Sequence, residues 1–101
     1  MTSSSLSIND EGVVNVSGML TFSTVAELSA AAPEKFGQQS ELVINLADVS
    51  RSDSAGLALL IDWMRFAKNN NKSIVFQNIP DQMLAIANAS GLDELIPVQI
   101  R

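Results

Sequence analysis

Residues 41–46, reading ELVINL, form a short aliphatic run bounded by polar residues, and a strongly helical stretch over residues 54–68 follows soon after. A run that short and that apolar fits a buried strand better than a helix. A buried strand feeding an aliphatic helix points to layers, with helices covering a sheet. This single succession excludes all-helical bundles and sandwiches of strands alone.

The flanking elements agree. Leu6 and Ile8, then Val14 and Val16, alternate with polar residues around Asn9-Asp10-Glu11-Gly12, which predicts an opening hairpin. Thr21, Ser23 and Thr24 can cap a helix whose apolar positions are Val25, Leu28 and Ala32, closed by Pro33 and Gly37. Residues 47–52 are expected as a loop, and Asn69-Asn70-Asn71 ends the second helix. Residues 73–77 read as a second buried strand. Pro80 suits an early position of a last helix that sets Met83, Ile86, Ala87 and Ser90 on one face and stops at Gly91. Leu92, Leu95, Ile96 and Val98 form an apolar tail expected to pack back on the sheet, and Ile44, Leu46, Leu60 and Val75 are expected to share the core. The predicted class is α/β: a mixed sheet with an opening hairpin and three to four helices packed on it. With 101 residues and no evident linker or repeat, residues 1–101 are expected to make one domain.

Composition removes several function classes. There is no Cys and no His, so thiol nucleophiles, zinc-thiolate sites, Ser-His-Asp catalysis and imidazole acid–base chemistry are unavailable. No phosphate-cradling glycine loop accompanies Asp48 and Asp53. The chain is expected to be no enzyme and to need no metal or cofactor. Six Lys and Arg against eleven Asp and Glu give a net charge of −5, which disfavours nucleic acid and anionic lipid as partners. Residues 1–6 lack the pattern of a secretory signal. The longest wholly apolar run, residues 57–61, is far below the roughly 20 needed to span a bilayer. No direct membrane insertion is expected, and a cytoplasmic location is.

Asp53-Ser54-Ala55-Gly56-Leu57 stands at the junction of strand and helix. Asp53 or Ser54 caps the free amides of the helix start, and Gly56 permits close packing of its first turn on the sheet. Ser54, exposed at a positive helix end, is a place where a phosphate would be tolerated or a partner group held. In this setting the motif resembles the signature loop of STAS domains, the sulfate-transporter and anti-sigma-factor-antagonist modules. The likeness spans nearly the whole chain, because the family's element order is the one read above. Within the family, residues 49–60 look most like the MlaB branch, the small cytoplasmic subunit of the Mla phospholipid-transport ABC complex. Antagonists typically carry Asp-Ser-Ser-Gly with the second Ser as phosphoacceptor; here that position is Ala55. The MlaB branch has its functional hydroxyl directly after the Asp, where this chain has Ser54.

The helix after the motif carries two apolar stripes. Leu57, Leu60, Ile61 and Met64 should face the sheet, while Leu59, Trp63 and Phe66 lie on roughly the opposite side. Either a neighbouring helix of the domain covers the second stripe or it faces a partner; the sole tryptophan, Trp63, would be a natural interface anchor. The expected contact set is therefore Asp53, Ser54 and Gly56 with Arg51, Leu59, Trp63 and Phe66, Arg51 serving equally well as a plain solvated charge. Resemblance to MlaB implies a non-catalytic accessory subunit. It would bind and stabilise a MlaF-like ABC transporter ATPase, sit at the inner membrane through that complex, and serve phospholipid trafficking and outer-membrane lipid asymmetry. The alternative is an anti-sigma-factor-antagonist-type signalling switch.

Overall fold

In the computed structural model, which describes residues 4–37 and 39–97, the alternating residues at the start form the expected hairpin. Strands β1 (Ser5–Ile8) and β2 (Val13–Leu20) pair antiparallel, Leu6 opposite Val16 and Ile8 opposite Val14. Asn9 builds the turn: its Oδ1 accepts from the N–H groups of Glu11 at 2.9 Å and Val13 at 3.0 Å. Gly12, at φ +83°, supplies the left-handed residue that the turn requires.

Helix α1 (Phe22–Phe36) leads to β3 (Glu41–Ser52), which runs parallel to β2, and α2 (Ser54–Asn69) leads to β4 (Ser73–Gln77), parallel to β3. Helix α3 (Asp81–Ala89) and a 3₁₀ turn over Asp93–Leu95 complete a four-stranded mixed sheet of order β1-β2-β3-β4. The α2 helix lies between α1 and α3 and packs against both, so the helices form one layer on one face of the sheet. Leu6, Val14, Val16, Leu20, Leu42, Ile44, Leu46 and Phe76 point into that layer and are buried.

Helix ends follow local chemistry. Thr24 Oγ1 accepts from the Thr21 N–H at 3.0 Å at the start of α1. Asn71 (φ +58°) and Gly91 (φ +72°) stop α2 and α3 in the left-handed conformation. The next amides turn back to reach Ala67 O and Ala87 O, each at 2.8 Å, satisfying carbonyls that the helices leave free.

Several expectations are corrected. Residues 47–52 are not a loop: β3 continues to Ser52. Its pairing with β2 steps from Asn15–Asn45 to Ser17–Asp48 and from Gly18–Val49 to Met19–Arg51, so two bulges each insert one residue into β3. Each insertion reverses the in–out alternation and erases the period-two signal. Pro33 lies inside α1 and Pro80 caps α3 from outside. In the tail Ile96 is buried but Leu95 is exposed, and Val98 lies outside the described residues. Val75 is half-buried because it pairs with Val43 on the face away from the helices.

That open face carries a row of carboxamides. Asn45 Nδ2 donates to Asn15 Oδ1 at 2.9 Å, and Asn78 Nδ2 donates to Asn45 Oδ1 at 2.8 Å. Beside it runs a row of valines, Val13, Val43 and Val75, in register across three strands.

Candidate functional site

Strand β3 passes into α2 through one residue, Asp53, and three contacts fix the junction. The Asp53 N–H donates to Leu20 O at 3.1 Å, tying the junction to the end of β2. Asp53 Oδ1 accepts from the Ala55 N–H at 2.8 Å, the side-chain cap expected of a short acid at this position. A Cβ at Gly56 would lie 2.9 Å from Leu20 Cβ and 3.2 Å from Leu20 O, and would collide with Ser52 Oγ. Only glycine lets α2 begin this close to β2.

Ser54 is exposed at the first position of α2, while Ala55 beside it is buried and turned toward α1. Arg51 is exposed at the end of β3, opposite Met19 of β2. Asp53, Ser54, Gly56 and Arg51 therefore do converge at one end of the sheet. The second apolar stripe does not join them at the surface. Leu59 and Trp63 are 4% and 1% exposed, and Phe66 is half-buried. Phe36, in the last turn of α1, meets Trp63 edge-on with ring centroids 5.3 Å apart and Phe66 at 5.8 Å. A central helix in a three-helix layer needs one stripe for the sheet and another for its flank. Leu59, Trp63 and Phe66 serve α1, and the expectation that they face a partner is corrected.

The outward face of α2 is instead Ser54, Ala58, Asp62 and Arg65. Beside it an open groove of about 330 Å³ separates α2 from α1, lined by Phe22, Val25, Ala26 and Ser29 on one side and Ala55, Ala58, Leu59 and Asp62 on the other. Ser29 Oγ donates to Asp62 Oδ2 at 3.2 Å across it. Phe22, 80% exposed, forms one lip. The sequence reading missed Phe22. In helical phase it sits at the edge of the Leu28–Ala32–Phe36 stripe, so periodicity gives no sign that it is uncovered.

Among the described residues no cluster of three His, Cys, Asp or Glu side chains can hold a metal, and no helix is long and apolar enough to cross a membrane. The arrangement is that of a small α/β domain with one exposed helix start and an adjoining apolar groove. The chain belongs to the STAS domain family: residues 4–97 match the family described as "Mlab, STAS domain". It is 29% identical over 86 residues to the anti-sigma-B factor antagonist of Staphylococcus aureus (strain NCTC 8325 / PS 47), covering 84% of this chain and 80% of that protein. Its fold is similar to an anti-sigma factor antagonist from Mycobacterium paratuberculosis, with TM-score 0.76, 22% identity, and 98% and 86% of the two chains covered. It is also similar to the anti-sigma factor antagonist SpoIIAA in its unphosphorylated form, with TM-score 0.71, 18% identity, and coverage of 98% and 90%.

These relatives overturn the expected role as an Mla transporter subunit bound to a MlaF-like ATPase, because they are anti-sigma factor antagonists. That expectation joins the likeness of residues 49–60 to the MlaB branch with the hydroxyl at Ser54 in place of one at Ala55. One hydroxyl placed one residue earlier leaves the strand, the cap and the helix start unchanged, so it does not separate the chain from antagonists.

Proposed function

We propose that this chain is a non-catalytic, single-domain cytoplasmic regulator of the anti-sigma-factor-antagonist type, which acts by docking a protein partner on the surface formed by Arg51, Asp53, Ser54 and the Phe22 groove. The observation that carries this is the exposed Phe22 beside an open apolar groove whose α2 wall begins at Ala55, the residue after Ser54. Uncovered aromatic and small apolar side chains next to a hydrogen-bonding rim are the make-up of a contact surface. The relatives' role as antagonists and the lack of His and Cys support a binding module over an enzyme. The hydroxyl order is that of the MlaB branch, so control by a group added at Ser54 acts one residue earlier than in the Asp-Ser-Ser-Gly pattern. A phosphate there would lie at the positive end of the α2 dipole, which favours negative charge.

The test is copurification and titration with the anti-sigma factor of the same cell. Phe22→Ala removes an interface anchor, expected to cost about 2 kcal/mol, or roughly thirty-fold in affinity. Ser54→Asp is expected to keep the fold and weaken a close contact. Full-strength binding by both variants refutes this surface.

A further inference from the structure

Strand β4 accompanies β3 only as far as the Asn45–Gln77 pair, whereas β3 continues to Ser52. Successive N–H groups of a strand point to opposite flanks. The Asp53 N–H reaches β2 at Leu20 O, so the Ser52 N–H points to the flank that β4 has left. There it donates to Gln82 Oε1, from the first turn of α3, at 3.2 Å. A glutamine side chain thus stands in for the missing strand at the last residue before the Asp53 cap. Ser52 is the buried polar residue of this junction, at 7% exposed, where an amide without an acceptor is costly.

We infer that Gln82 is a positioning residue of the Asp53–Ser54 surface: by holding Ser52 it sets where α2 begins, and it couples the first turn of α3 to the presentation of Ser54. The junction is held toward β2 by Leu20 O and beneath by the Gly56 contact, and Gln82 supplies the hold on the third side. Gln82 is itself exposed, so a partner lying over Ser54 and the start of α3 acts on the junction through this bond. The inference rests on the proposed contact surface only in taking Ser54 as the group presented.

The experiment is amide hydrogen exchange and amide chemical shifts of the full chain, comparing the parent with three variants. Gln82→Met keeps the side-chain length with only a weakly accepting thioether, Gln82→Ala removes both, and Gln82→Glu keeps an acceptor oxygen. In the Met and Ala variants the Ser52 amide should exchange at least about tenfold faster, and the Ser54 and Ala55 amides should shift, with Ile44 and Phe76 unchanged. Gln82→Glu should restore both. Exchange at Ser52 within about twofold of the parent in the Met variant overturns the inference. So does a uniform change at all amides, or a change at Ser52 that leaves Ser54 and Ala55 unshifted. None of these readouts involves a partner, so they stand or fall separately from the Phe22→Ala titration.

Discussion

Replacing Trp63 by Ala tests whether the second stripe of α2 belongs to the interior. The side chain is 1% exposed and meets Phe36 edge-on at 5.3 Å. Truncating a buried tryptophan costs about 3–5 kcal/mol. The upper part of that range applies here, since Phe36 loses its edge-on ring partner. Against this, no acceptor reaches Trp63 Nε1 among the described residues, and removing an unsatisfied buried donor returns about 1–3 kcal/mol. The net expectation is about 3 kcal/mol. With a urea dependence of about 2 kcal/mol per molar for a domain of this size, the unfolding midpoint falls by about 1.5 M. Trp63→Phe deletes the N–H and keeps a ring, so its midpoint should move by under about 0.5 M. Circular dichroism is the readout, because the only tryptophan is the residue changed. A Trp63→Ala midpoint within about 0.3 M of the parent would return Trp63 to the surface and refute the packing described for α1 and α2.

Gly56→Ala should force α2 away from Leu20 and Ser52 at a cost of about 1–3 kcal/mol. A thermal melt should fall by about 4–8 °C for each kcal/mol, and an unchanged melting temperature would contradict the close approach. Ile44→Asp places a carboxylate at a fully buried position of the central strand and should prevent folding; a native-like amide spectrum would refute the strand assignment.

The sequence showed the order of elements, the hairpin and the capped junction at Asp53, because these rest on local chemistry: alternation, an acid before a helix, a glycine where a side chain would collide. It did not show the far half of β3. Leu42, Ile44 and Leu46 alternate cleanly, but the two extra residues before Ser52 break the phase, and a bulge leaves no positive mark in a single sequence. Leu59 and Trp63 were legible as apolar but not as interior, since one helix's periodicity does not say how many neighbours it has. Phe22 failed in the opposite sense, as an aromatic near a core stripe that the helix layer leaves uncovered. The start of the last helix near Asp81 and Gln82 was legible as a border of the same surface, but the bond of Gln82 to Ser52 was not, because it joins residues thirty positions apart.

The carboxamide row on the open face has a consequence for how the chain avoids misaligned sheets. A one-residue slip of β3 against β2 would turn Ile44 outward and is penalised by lost burial. A two-residue slip keeps every aliphatic side chain on its own face, and burial scarcely distinguishes it from the native alignment. The amides do. Slide β3 one way and Asn15 faces Val43; slide it the other way and Asn45 faces Val13. Either shift breaks the Asn15–Asn45 bond, and holding Asn78 on Asn45 then displaces β4 as well. Three asparagines thus select the one alignment, among those that bury the same residues, in which Ser52 arrives beside Leu20 and the Ser54 helix starts where Gly56 allows.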